Sequence, residues 1–131
     1  FEGIGIIAHG VLPHKNALKI VQKADFGVLF RFKKRYAKAG FSTKFAECMS
    51  CGVPMICNCV GGADCIIDNK INGIILENFD KSNIKNTLNN LINLSNEEIL
   101  FMKENAYQKA LSFFDRKEYI RVVDKYLKKV L

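Results

Sequence analysis

The sequence predicts an α/β fold, a Rossmann-like open parallel sheet with helices on both faces and a helical C-terminal tail. Short, continuously apolar runs alternate with segments of helical periodicity up to about residue 80. Such runs are typical of parallel strands that are covered by helices on both faces. Beyond this point the periodicity is helical only, which predicts a tail without further strands.

Four apolar runs are predicted to be strands, at residues 3–8, 26–30, 53–58 and 74–76. The first helix is predicted over about residues 15–23, because Ala17, Leu18 and Val21 recur there with helical spacing. A second, short helix is predicted over about residues 63–68, after a glycine turn.

The other helices carry local signals at their ends. Residues 43–51 follow Ser42, a favoured N-cap residue, and precede Gly52, at the position that glycine favours after a helix. In the tail, the first helix is predicted over about residues 82–94. The second helix of the tail is predicted to begin at Ser95, which has capping-box spacing with Glu98. The third is predicted to begin at Asp115, which has a related spacing with Glu118.

Length and composition predict one globular domain of cytoplasmic type. The chain has 131 residues, of which 49% are hydrophobic and 25% charged, and this balance argues against disorder. No apolar stretch approaches the ~20 residues that span a bilayer. The first residue is Phe1 and no signal-peptide pattern follows, so we expect an excised piece of a longer protein. Five cysteines, an odd number, fit a reducing compartment better than a disulfide scaffold.

The net charge of +7 has two interpretations. Many lysines lie on predicted helix faces, where they serve solubility. A denser run lies in the predicted loop at residues 31–41, directly after a strand, where a phosphorylated ligand could use it. This run consists of Arg31, Lys33, Lys34, Arg35 and Lys38.

Parallel sheets of this kind bind ligands beyond the carboxyl ends of their strands. This rule selects the loops at residues 9–13, 31–41 and 58–62, together with the helix start at Ser42.

The helix start carries the strongest signal for a ligand. Gly40 permits close approach of the backbone, and the free N–H groups after Ser42 suit a phosphate. Lys44 adds a positive charge in the first turn, and Glu47 follows on the same face. Glu47 lies roughly 5–8 Å along the axis from the anion-binding end, an offset that matches a ribose diol beside a diphosphate. From spacing alone, the favoured interpretation is instead a surface pair of Lys44 and Glu47 on an exposed helix.

Residues 39–76 resemble the C-terminal domain of GT-B, family-four retaining glycosyltransferases, in particular the bacterial capsule and lipopolysaccharide type. That type has the approximate pattern S-P-T-K-F-x-E-x-x-A-C-G-x-P-V-I, and residues 42–56 here read STKFAECMSCGVPMI. The match continues through Gly61-Gly62 and the NGIIL ending at residues 72–76, and upstream it includes His9-Gly10-Val11. The resemblance covers about the first 80 residues well and the helical tail only in general character.

The resemblance implies a donor site for a nucleotide-diphosphate sugar, with no separate cofactor. Glu47 would bind the ribose, as the second glutamate of the family's E-x7-E motif, and Ala39 stands where the first glutamate would contact the sugar. The resemblance implies further donor-binding residues in three places. The helix start and the segment before it would bind the diphosphate, through Gly40, Phe41, Ser42, Thr43 and Lys44. Val11 and Leu12 would lie in the loop beside the base, and Arg31, after the second strand, is a further phosphate candidate.

The resemblance further implies retaining transfer to a saccharide or lipid-linked acceptor in cell-surface polysaccharide biosynthesis. Amides and cations would stabilise the departing diphosphate, and no general base is assigned, including His9 and His14. Residues 1–131 would be the C-terminal donor-binding domain, without its first strands and without the N-terminal acceptor domain. The isolated piece is then expected to bind donor weakly and to catalyse little. The last helix, from about Arg116, is expected to pack towards the missing half. We expect a cytoplasmic protein, with peripheral contact with the inner membrane left open, and no nucleic-acid partner.

Two alternatives from other classes remain. The basic run is interleaved with Phe30, Phe32, Tyr36 and Phe41, which would suit a non-catalytic nucleotide- or nucleic-acid-binding module. The second alternative is a zinc-stabilised interaction domain that uses Cys48, Cys51, Cys57 and Cys59. Zinc pairs normally come from tight turns, whereas these cysteines fall in a predicted helix and at a strand end, which favours small buried hydrophobes.

Overall fold

The computed structural model describes residues 4–58, 60–76 and 80–130, and for Asp64 the backbone alone. Three short strands and six helices are found in these ranges. In chain order they are α1 (His14–Val21), β1 (Gly27–Leu29), α2 (Arg35–Ala39), α3 (Thr43–Ser50), β2 (Met55–Cys57), β3 (Gly73–Ile75), α4 (Lys81–Ile92), α5 (Asn96–Phe114) and α6 (Arg116–Val130). Within the described ranges, no helix combines the length and the apolar character needed to cross a bilayer.

The strands form one parallel sheet in the order β1-β2-β3. Met55 at the start of β2 is paired with Gly27 on one side and Gly73 on the other. A Cβ atom on Gly27 would lie 2.5 Å from the Met55 sulfur, and one on Gly73 would lie 2.6 Å from the Met55 carbonyl oxygen. Gly27 therefore leaves room for the fully buried Met55 side chain, and Gly73 leaves room for the Met55 backbone and the Ile67 side chain.

The core lies between the sheet, α3 and α5. Phe45 and Met49 of α3 are at most 1% exposed and pack with Met55 of the central strand. The facing surface of α5 carries Ala106 and Ala110, both buried, and these small side chains let α3 approach closely. The position and rotation of α3 are thus fixed from two sides.

The α/β class, the last three predicted strands and the long helices are confirmed. Ser42 has the extended backbone of an N-cap (φ −90°, ψ 119°), and Gly52 follows α3 with a left-handed φ of 70°. At the start of α5 the predicted capping box is formed, since the Glu98 N–H donates to Ser95 Oγ at 3.2 Å and the Ser95 N–H donates to Glu98 Oε2 at 2.7 Å. The short helix predicted over residues 63–68 is a single 3-10 turn at Ala63–Cys65.

Two predictions of local structure were wrong. The strand expected at residues 3–8 is absent from its described part, residues 4–8. Gly5 has a φ of 74°, which interrupts an extended backbone, and the side chains of Ile4, Ile6 and Ile7 are exposed. The basic segment at residues 31–41 is not entirely loop, because it contains α2. The high helix propensity of alanine, lysine and arginine and the burial of Ala37 account for this helix.

Candidate functional site

The predicted ligand-binding loops meet at the carboxyl ends of β1 and β2. Arg31 follows β1 by two residues, Asn58 follows β2 directly, and the segment at residues 40–42 leads into α3. Because parallel strands end at the same edge of a sheet, Arg31 and Asn58 lie in contact although 27 residues separate them in sequence.

The start of α3 presents backbone donors and one positive charge. The Ser42 carbonyl accepts hydrogen bonds from the N–H groups of Phe45 (3.1 Å) and Ala46 (3.3 Å), so the N–H groups of Thr43 and Lys44 precede the first intrahelical bond. The Ser42 side chain makes no capping hydrogen bond that would occupy them. Thr43 and Lys44 are exposed, and the Lys44 ammonium has no hydrogen bond or ion pair with a described residue. This helix start can therefore accept an anion.

Phe41 anchors the segment that enters α3. Its ring centroid lies 5.5 Å from that of Phe45 in an edge-to-face arrangement, and 5.5 Å from that of Phe114 at the end of α5. These ring contacts hold the approach to α3 against the core. They also leave the Phe41 ring, which is 43% exposed, only partly available for stacking on a base.

Glu47 has a partner that the sequence analysis set aside. His14, the first residue of α1, places its Nε2 3.0 Å from Glu47 Oε1. The glutamate side chain is about one-third exposed (35%), so its other oxygen can still meet a ligand. His14 directly follows the loop that contains the exposed Val11 and the half-buried Leu12, and its contact therefore joins this loop to α3. No local pattern indicates this contact, which spans 33 residues of sequence.

Arg31 is tied to its neighbours. Its Nη1 donates to the Gly40 carbonyl oxygen at 2.6 Å, and its backbone exchanges two hydrogen bonds with the Asn58 side chain. Arg31 is the phosphate candidate that the family resemblance implies, and no prediction from the sequence includes Asn58. A polar residue that follows a buried strand at the ligand-binding edge is the signal that could have identified Asn58.

The described cysteines do not form a metal site. Burial raises the pKa of the Cys48 thiol, an effect that the nearby Lys44 charge partly offsets, and burial also raises the pKa of Cys51. Both thiols therefore favour the protonated form, which is a poor nucleophile. Cys59 lies outside the described residues. Among those described, no three His, Cys, Asp or Glu side chains are grouped so that they could hold a metal ion.

A cavity of about 770 Å³ lies elsewhere, between β3, α4 and α5. Ile75, Leu91, Phe101 and Met102 are among the residues that line it, and none of the predicted site residues does. At the start of α3 the enclosed space is only about 10 Å³, bordered by Arg31, Ser42, Asn58 and Gly61 among others. Open parallel sheets bind ligands beyond the carboxyl ends of their strands, and the space at the start of α3 lies there, beside Arg31 after β1 and Asn58 after β2.

Comparison with known proteins gives a family and a fold. The family described as "Glycosyl transferases group 1" matches residues 4–109. No curated protein matches significantly. Among solved structures, Anabaena HepE in complex with UDP is similar over 85% of this chain and 29% of its own, with 20% identity and a TM-score of 0.68. HepE with UDP-glucose gives the same coverage and identity with a TM-score of 0.65.

A third similar structure is the N-terminal domain of Candida albicans trehalose-6-phosphate phosphatase. It shares 19% identity over 79% of this chain and 21% of its own, with a TM-score of 0.61. The chain thus spans less than a third of the length of each of these structures. At these identities the similarity extends to the fold alone.

Proposed function

The chain belongs to the glycosyl transferases group 1 family, and from that premise we propose that it holds the nucleotide-diphosphate sugar donor of a retaining glycosyltransferase. One observation carries the proposal. Two free backbone N–H groups, the Lys44 charge and the Glu47 carboxylate lie on the first two turns of a single helix at the ligand-binding edge of the sheet.

In this proposal each part of the helix binds one part of the donor. The diphosphate lies against the N–H groups of Thr43 and Lys44, where the helix dipole and the ammonium favour negative charge. The ribose hydroxyls donate to Glu47, whose second carboxylate oxygen is not engaged by His14. Val11 and Leu12 lie beside the base. The UDP and UDP-glucose bound to HepE make uracil the first base to test.

The same groups support the chemistry. As the sugar leaves, negative charge grows on the diphosphate, and fixed N–H donors and a cation stabilise that charge without a general base. The acceptor hydroxyl then attacks the anomeric carbon on the face that the diphosphate leaves, the bond between that carbon and the diphosphate breaks, and the hydroxyl proton passes to the departing phosphate oxygen. Ala39 supplies no carboxylate for the sugar, so the sugar hydroxyls are recognised by other groups.

We further propose that these residues are the donor-binding part of a longer enzyme, with the acceptor site in a separate domain. The chain covers 29% of the HepE chain, in keeping with such a division. The acceptor is a saccharide or a lipid-linked saccharide, the product a cell-surface polysaccharide, and the site of action the cytoplasm or the cytoplasmic face of the membrane. By itself the chain then binds donor weakly and transfers little sugar.

Titration of ¹⁵N-labelled chain with UDP and with GDP tests the donor site. One of the two is expected to shift the amide resonances of Thr43 and Lys44 at millimolar concentration. In Glu47→Gln the affinity for that nucleotide falls by roughly 5- to 150-fold, which is the ~1–3 kcal/mol of a hydrogen bond to a charged group. Glu104→Gln, on the exposed surface of α5, is the charge-matched control and leaves the affinity unchanged.

Absence of binding by either nucleotide would reject the donor site. Equal affinity in Glu47→Gln and in the original chain would reject the ribose role of Glu47. A strong preference for a single-stranded oligonucleotide over both nucleotides would favour the alternative binding module. That alternative retains one supporting observation, since Phe32 and Tyr36 in the basic segment are exposed.

A further inference from the structure

We propose that Arg31, Asn58 and Gly61 form a clamp that positions the start of α3, an inference that rests on the proposed donor site for its functional meaning. All three are positioning residues: they hold the segment at residues 40–42, and through it they aim the N–H groups of Thr43 and Lys44. Arg31 thereby acts on the diphosphate through the backbone of Gly40.

The first half of the clamp joins the ends of β1 and β2. Asn58 is buried (7% exposed), and its Oδ1 accepts from the Arg31 N–H at 3.0 Å while its Nδ2 donates to the Arg31 carbonyl at 2.8 Å. One side-chain amide thus satisfies both backbone groups of a single residue, as a neighbouring strand would. The backbone of Arg31 is fixed two residues beyond the end of the strand.

The second half joins Arg31 to the approach of α3. The guanidinium Nη1 donates to the Gly40 carbonyl oxygen at 2.6 Å, a charge-assisted hydrogen bond between groups that are both partly buried. Gly40 lies two residues before Ser42, the N-cap. A fixed Gly40 carbonyl therefore limits how far the first turn of the helix can move.

Gly61 closes the clamp from the other side. A Cβ atom at Gly61 would lie 2.6 Å from the Gly40 carbonyl oxygen, 2.8 Å from that of Ala37 and 3.0 Å from Arg31 Nη1. Glycine is therefore required here for space as well as for its left-handed φ of 71°. A side chain at this position would displace the Gly40 carbonyl and weaken its bond to Arg31.

Gly62 provides a matched control. It also has a left-handed backbone (φ 83°), so alanine costs similar backbone strain at both positions. The nearest atom to its added Cβ would be a ring carbon of Phe41 at an ordinary 3.9 Å. Gly62→Ala therefore introduces the strain of Gly61→Ala without the collision at Gly40.

The test compares Gly61→Ala with Gly62→Ala by NMR, first without ligand. The clamp predicts shifted amide resonances of residues 40–44 in Gly61→Ala and nearly unchanged ones in Gly62→Ala. Equal responses in the two variants would overturn the clamp, whether or not a nucleotide binds. Arg31→Met, which removes the donor and keeps the length of the side chain, reports on the same residues if Gly61→Ala does not fold.

The functional arm compares UDP with uridine, which lacks the phosphates. The clamp predicts that Gly61→Ala and Arg31→Met each have an affinity for UDP about tenfold or more below that of Gly62→Ala. The affinity for uridine is expected to change by less than about twofold in both variants. A loss of UDP affinity in Arg31→Met alone would mean that Arg31 contacts the phosphate directly, and would overturn the positioning role. Failure of the original chain to bind UDP or GDP would reject the proposed function, while the ligand-free comparison would still decide the clamp.

Discussion

Replacing Lys44 with glutamine separates the lysine charge from the backbone donors at the start of α3. The variant keeps a long side chain with good helix propensity and leaves the N–H groups of Thr43 and Lys44 in place. It removes one positive charge that has no ion-pair partner among the described side chains. Any loss of affinity therefore reports on the charge.

The exposure of Lys44 sets the size of the effect. At 4 Å, a pair of unit charges interacts by about 1 kcal/mol in bulk water and about 4 kcal/mol at an effective dielectric constant near 20. Because Lys44 is exposed, the lower part of this range applies. We expect a loss of ~1–2 kcal/mol, which is roughly a 5- to 30-fold loss of affinity for the nucleoside diphosphate.

The assay is an NMR titration of both forms with UDP and with uridine, at low and at high salt. Lys44→Gln is expected to lower the affinity for UDP and to leave the affinity for uridine unchanged. The difference in UDP affinity between the variant and the original chain is expected to shrink at high salt, because salt screens the exposed charge. Lys125→Gln on α6 is the control with the same change in net charge. If Lys44→Gln and Lys125→Gln have equal effects, the charge acts through the net charge of the chain, and the phosphate role of Lys44 is refuted.

Two predictions concern stability. Asn72 is 1% exposed, and its side chain accepts a hydrogen bond from the Asp68 N–H (2.9 Å) and donates one to the Ile66 carbonyl (3.2 Å). Because Asn72→Ala leaves both groups without their partner, it is expected to lower the free energy of unfolding in urea titrations by ~2–4 kcal/mol. A loss below about 1 kcal/mol would contradict this expectation. The hydrogen bonds from Ser95 lower the pKa of Glu98 from its ordinary value of 4.5. The Glu98 carboxylate therefore stabilises the folded chain above pH 4.5, and this stabilisation is lost as the pH falls through the lower pKa of the folded state. Glu98→Gln is therefore expected to reduce the loss of stability below pH 4.5, and identical pH profiles for the two forms would refute the capping role.

Features with local signals were predictable from the sequence. Ser42 before α3 and Gly52 after it bound the helix to within a residue, because N-caps and left-handed glycines act through their own backbone. The capping box at Ser95 is predictable for the same reason. The candidate site followed from a topological rule, since the loops after parallel strands meet at one edge of the sheet.

Features that depend on tertiary packing were not predictable. Residues 4–8 have a strand-like composition, but Gly5 adopts a left-handed φ and no described strand pairs with them. The contact of His14 with Glu47 spans 33 residues, and the bond from Arg31 to Gly40 depends on how the loops fold over the sheet edge. The sequence identified the residue types at the site, and the structure shows that Arg31 and Glu47 each already have a partner.

The most direct test of the donor site is a set of intermolecular NOEs between the chain and bound UDP or GDP, with phosphorus detection for the diphosphate. A donor site at the start of α3 predicts ribose protons near Glu47 and His14, and phosphorus shifts that respond to Lys44→Gln and not to Lys125→Gln. Contacts from the nucleotide to Leu91 and Phe101 would place it in the cavity between β3, α4 and α5 and would contradict a donor site at the start of α3.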